Sequence, residues 1–223
     1  MVLDKAFGTK QAPQRMSLVF SPQTARDYVV NPKIGASFSL AQMLSPEHSL
    51  VLLHYPELKT NTFVHEMIHC YVNKPTDTRS NASALASTII GESFVEYLSI
   101  YLSDGLLGDK TDYYKEKRKA IRKKKLTDRN VRDMIKKSTD NYVSLKNHKD
   151  DTSWIYYDLI PLRMHEYAQS IGREGEFARA VADYLVHVDK EKQIDLDNYV
   201  QFMESRGFTG VLDNIKTIIP PEE

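Results

Sequence analysis

The chain has 223 residues, and its 30 Lys+Arg balance 30 Asp+Glu, so it carries no chain-wide cationic footprint for nucleic acid. An apolar fraction of 41% suffices for an ordinary buried core, and the length suits one large domain or a domain with two lobes. The single cysteine, Cys70, rules out an intramolecular disulfide and a zinc cluster built on thiolates.

The opening MVLDKAFGTKQ has no apolar core of a signal peptide, and no run of about 18 apolar residues follows. The expectation is a chain without a membrane partner, placed in the cytoplasm unless an export signal has been removed. RMSLVFSP (15–22) and SLVLLHYP (49–56) are short apolar runs that end at proline and read as strands. IGASFSLAQML (34–44) between them reads as a third, with Gly35 allowing close backbone approach. After Thr60 the pattern turns helical. In TNTFVHEMIHCYV (60–72), Phe63, Val64, Met67, Ile68 and Tyr71 recur at spacings of three and four. Asn61 or Thr62 is placed to cap this helix, with His65 or Glu66 in its first turn.

NKPTDTRSNAS (73–83) reads as a loop, and ALASTIIGESFVEYLSIYLSDG (84–105) as a long helix that stops at Asp104-Gly105. The charged section 112–138 reads as one or two surface helices. TSWIYYDLIPLRMHEYAQSIG (152–172) is apolar-periodic and ends at Gly172, with Pro161 in its first turn or at a kink. EGEFARAVADYLVHV (174–188) and DLDNYVQFMESRG (195–207) are two more amphipathic helices, the last ending at Gly207. The expected fold class is α+β in one domain over 1–223, a sheet-containing lobe at 1–60 followed by a helical lobe at 61–223.

His65-Glu66-Met67-Ile68-His69 carries the chemistry. Histidines four apart on a helix share a face, so both imidazoles can reach one cation. Glu66 lies beside that line, where it can take a proton from a bound water rather than bind the ion. Zinc takes three protein ligands and keeps a fourth position open. In IIGESFVEYLS, Glu92 and Glu96 stand one turn apart among Ile89, Ile90, Phe94, Val95 and Leu98. A carboxylate on an apolar stripe is costly unless it is paired or binds a cation. Glu92 is therefore the expected third ligand to one Zn²⁺, and Glu96 the acceptor that orients a ligand histidine. Cys70 reads as a small buried residue, and His48, His54, His148, His165 and His187 as structural or surface.

This combination resembles the gluzincins, metallopeptidases with a Glu ligand on the helix after His-Glu-x-x-His, and within them the aminopeptidase N and leukotriene-hydrolase family. Gly91-Glu92-Ser93-Phe94-Val95-Glu96-Tyr97 stands where that family carries Asn-Glu-Gly-Phe-Ala and an aromatic. The stretch from His69 to Glu92 is a few residues longer than the family's, which places the extra length in the 73–83 loop. The resemblance extends over about residues 5–205 and implies a thermolysin-like fold with the zinc site between the two lobes. It also implies a catalytic tyrosine at Tyr157, with Tyr156 the close alternative, and a substrate-binding strand at Gly35-Ala36-Ser37. Two departures bear on specificity. Phe38 replaces the family's amine-anchoring Glu, and Leu159-Ile160 replaces the Lys-Gly after the tyrosine. The family's amino-terminal β domain has no counterpart here, which makes an upstream domain a candidate partner.

The expected function is hydrolysis of a peptide or protein substrate, aminopeptidase-like with altered amino-terminus recognition. The competing readings are an endopeptidase of the same fold and a non-catalytic metal-binding interaction module. KEKRKAIRKKK (115–125) reads as a solvated helix face rather than a nucleic-acid or membrane site.

Overall fold

The computed structural model describes residues 3, 7, 15–21, 40–45, 48–54, 59–72, 81–107, 111–124, 154–187 and 196–211. These form three strands, β1 (Arg15–Ser21), β2 (Leu40–Ser45) and β3 (His48–His54), and a larger set of helices. The helices are α1 (Thr60–His69), α2 (Asn81–Leu107), α3 (Tyr113–Lys124), α4 (Ile160–Ser170), α5 (Glu174–His187) and α6 (Leu196–Ser205). A π-helical turn at Ile155–Leu159 leads into α4. The described chain is thus mostly helical, with one small sheet.

The chain divides into two compact units, Met1–Lys74 with Leu98–Lys110, and Pro75–Tyr97 with Thr111–Glu223. In the first unit the sheet order is β1-β3-β2. The central β3 runs parallel to β1, from Arg15 opposite His48 to Ser21 opposite His54, and antiparallel to β2, with Leu40 opposite Leu52. A central strand is covered on both sides, and Val51 is fully buried there. Of the predicted strand at 34–44, residues 40–44 lie in β2, and 34–39 lie outside the described residues.

Helix α1 packs against β2 and β3, burying Val64, Met67 and Ile68. Its N-cap is Lys59, in an extended conformation with no side-chain cap, rather than Asn61 or Thr62. The helix begins one residue before Asn61, which is therefore buried in the first turn, and His65 and Glu66 fall in the second. Behind the helix, the rings of Phe7 and Tyr71 pack with centroids 5.9 Å apart.

Helix α2 starts three residues earlier than its apolar period suggests and runs through Gly105 to Leu107. Gly105 is exposed, with open space where a Cβ would lie, and is not among the positive-φ glycines. A glycine with helical φ costs a helix only about 1 kcal/mol relative to alanine, so it does not end one. Every residue from Ser93 to Ile100 is buried, so this part of the helix is covered all round.

The second unit is built on aromatic packing. Phe94 meets Tyr199 at 4.3 Å, Tyr97 meets Phe177 at 5.5 Å, and Phe177 meets Phe208 at 5.5 Å between ring centroids. Burial pushes the Tyr199 hydroxyl well above the usual tyrosine range, so the ring packs as a neutral group. The glycine stops at 172 and 207 appear as expected, both at positive φ. Each closes its helix with paired bonds: Gly172 N to Gln169 O and Arg173 N to Ala168 O, then Gly207 N to Glu204 O and Phe208 N to Met203 O.

Candidate metal centre

His65 and His69 occupy successive turns of α1, and their Nε2 atoms face each other at 3.1 Å. The rings stand edge to face, 4.8 Å between centroids. A tetrahedral ion with arms of about 2.0–2.1 Å holds two nitrogens roughly 3.3–3.4 Å apart, so the pair is already near the separation that one shared cation sets. A carboxylate oxygen of Glu92, on α2, completes a group whose ligand atoms all lie within 4.8 Å of one another. His65 is buried, and His69 and Glu92 are half-buried. Two imidazole nitrogens and one carboxylate oxygen form a donor set that suits zinc while leaving a coordination position open, although such sets accept other divalent ions too. The group can therefore hold a metal ion, and the residues are those the sequence singled out.

Glu66 follows His65 and is turned about 100° round the helix from it. It is only 9% exposed. Cys70 is a free, buried thiol that points back to the Glu66 carbonyl at 3.6 Å, as a small core residue does.

Glu96 lies one turn beyond Glu92 and is buried. Its carboxylate accepts a hydrogen bond from Lys117 Nζ on α3 at 2.7 Å, a partner that sequence reasoning missed. The basic run containing Lys117 reads as a solvated face, and Lys115, Lys119, Arg122 and Lys123 are indeed exposed. Lys117 is 8% exposed and turned inward. The signal was present in the spacing. Lys117 stands four residues from Tyr113 and four from Ile121, on the inward stripe of α3.

Tyr157 sits in the π turn, where the Ile160 N–H donates to the carbonyl of Ile155, five residues back. Pro161 explains the widening. In a regular helix its ring would meet the carbonyl of Tyr157, and it has no N–H to give that oxygen. Lys117 Nζ donates to the Tyr157 carbonyl instead. The Tyr157 hydroxyl, on a residue 36% exposed, donates to Glu92 Oε2 at 3.2 Å. Tyr156 packs its ring against that of Tyr157, 4.5 Å between centroids. The expected substrate strand, Gly35-Ala36-Ser37, and the altered Phe38 lie outside the described residues, as do residues 73–80 of the 73–83 loop.

No protein-family model, curated protein or solved structure matches this chain. Among the described residues no helix is long and apolar enough to cross a membrane.

Proposed function

We propose that the chain is a zinc-dependent peptide hydrolase of gluzincin type, with a thermolysin-like arrangement of its sheet and helices. The observation that carries this reading is the convergence of His65, His69 and Glu92 within 4.8 Å, with the Tyr157 hydroxyl 3.2 Å from Glu92. A structural ion pair needs none of this. A hydrolytic site needs all of it, together with a base, and Glu66 stands beside the first ligand in the same helical turn.

Zinc held by these three residues supplies, when bound, Lewis acidity and a water acidic enough to ionise near neutral pH. Glu66 accepts the proton of the attacking water on its carboxylate and delivers it to the leaving amine nitrogen. The Tyr157 phenol turns its one O–H from Glu92 and donates it to the substrate carbonyl oxygen as negative charge gathers there. Phe38 has no charge to pair with a free amino terminus, so the reading covers peptide-bond hydrolysis without strict aminopeptidase specificity.

The test is Glu66→Gln in zinc-loaded protein, with hydrolysis of unstructured peptides as the readout. Turnover should fall by roughly 10²–10⁴-fold while zinc stays bound. Full activity in that variant overturns the assignment of the base. Zinc binding by an unaltered chain that cleaves no peptide overturns the hydrolase reading and favours a metal-binding interaction module.

A further inference from the structure

We infer that Lys117 is a positioning residue, which anchors the π turn so that the Tyr157 hydroxyl stays beside Glu92. The inference deepens the hydrolase reading and rests on it for its catalytic consequence.

An ammonium group has three N–H donors and no acceptor. Lys117 directs its charge at three oxygens. Glu96 Oε1 is at 2.7 Å, Asp158 Oδ1 at 3.5 Å, and the Tyr157 carbonyl is a direct hydrogen-bond partner. Two of the three belong to the π turn and the third to α2. On α2, Glu96 lies one turn from Glu92, on the same face. Tyr157 is therefore tied to α2 at two points. Its backbone is held through Lys117 to Glu96, and its phenol reaches Glu92 directly.

A lysine kept only for fold stability would be satisfied by its carboxylates. The bond to the Tyr157 carbonyl, to which Pro161 four residues on has no N–H to give, is a separate feature. It places a charged donor on the backbone of the residue whose hydroxyl meets the metal-ligand group. A phenol on a 36% exposed residue, beside the Tyr156 ring on one side, also depends on its backbone for its aim. Misplacement of about 1 Å in such a group costs on the order of 10²-fold in rate.

The experiment compares Lys117→Met, which keeps most of the stem without the charge, with Lys117→Arg, which keeps charge and donors. Both are made in the full chain loaded with zinc. Hydrogen exchange should quicken by about tenfold or more over 154–160 in Lys117→Met and stay unchanged over 174–187, because opening is local. Zinc affinity, read by chelator competition, should stay within about threefold, since His65, His69 and Glu92 are intact. On a peptide that the unaltered chain cleaves, kcat should fall by roughly 10–10²-fold with KM within about twofold, and Lys117→Arg should regain most of both losses. Uniform quickening of exchange, no change over 154–160, or a loss confined to KM overturns the inference. If the unaltered chain cleaves no peptide, the hydrolase reading fails and the exchange result alone decides whether Lys117 anchors the turn. Should Lys117→Met not fold, Lys117→Gln retains an N–H for the carbonyl without the charge. It should then show the same local quickening at smaller size, and its absence overturns the inference.

Discussion

Helix α1 and the π turn deliver their functional groups by opposite means. In α1 the two histidines stand four apart on a regular helix, and helical geometry alone brings their Nε2 atoms to 3.1 Å. In the π turn Tyr157 touches its neighbour Tyr156 but also meets residues far off in the sequence. Its surroundings include a proline four residues on, which has no N–H for the Tyr157 carbonyl, and a lysine forty residues earlier, which donates to that carbonyl. A metal-ligand pair can thus be written into five consecutive residues. A hydroxyl brought to Glu92, as that of Tyr157 is, has to be assembled from more than one element.

That contrast can be broken at α1. His69→Ala should abolish measurable zinc binding in a dialysed sample while helicity by circular dichroism stays near that of the unaltered chain, because alanine favours helix and only a ligand is lost. Zinc binding equal to the unaltered chain would show that the local pair is not the site.

The next effect belongs to the π turn. Tyr157→Phe should lower kcat by roughly 10²–10³-fold, the loss seen when one oxyanion donor is removed, with zinc affinity unchanged. Tyr156→Phe should leave kcat within about twofold, because the hydroxyl that meets Glu92 is that of Tyr157. The reverse order of effects would transfer the role to Tyr156.

Pro161→Ala sharpens the comparison further. It offers the Tyr157 carbonyl a helical N–H in competition with Lys117, so the turn can tighten toward regular α-helix. Turnover should fall by roughly three- to tenfold with zinc still bound, and exchange over 154–160 should change without a change over 174–187. Identical turnover and exchange in this variant would mean that the proline does not shape the turn.

The smallest effect concerns pH. His165 stacks on Tyr114 at 3.6 Å between centroids and is held below its ordinary value of 6.5. Burial is the main cause and the Arg118 guanidinium the second, against the opposite pull of Glu166, Glu174 and Asp112. The folded chain resists a proton that the unfolded chain accepts. The associated stability is therefore complete above pH 6.5 and is lost as pH falls below it toward the folded value. Thermal unfolding of the zinc-loaded chain should show Tm falling across this window, with a shallower fall in His165→Phe. Equal slopes would remove His165 as the cause.

Much of the molecule was legible before folding because it depends on residues close in sequence. The apolar period of 60–72 marked α1, and the glycines at 172 and 207 marked helix ends that close at positive φ. Glu92 was found because a carboxylate amid Ile89, Ile90, Phe94 and Val95 lacked a bland reason to be there. Gly105 misled because a glycine ends a helix only where φ turns positive, and the buried length of α2 carries the helix past it. Lys117 was hidden by its neighbours. Composition averaged over 115–125 describes a solvated face, while Lys117, on the inward stripe, is buried. Residue types at short spacing determined the ligand pair, the base beside it and the helix stops, since helical geometry repeats every few residues. Only the tertiary structure decided that Glu92 joins the histidines, that the Tyr157 hydroxyl meets Glu92, and that Lys117 meets Glu96 and the Tyr157 carbonyl. Each of these is a contact across at least 20 residues, and no local period can encode one.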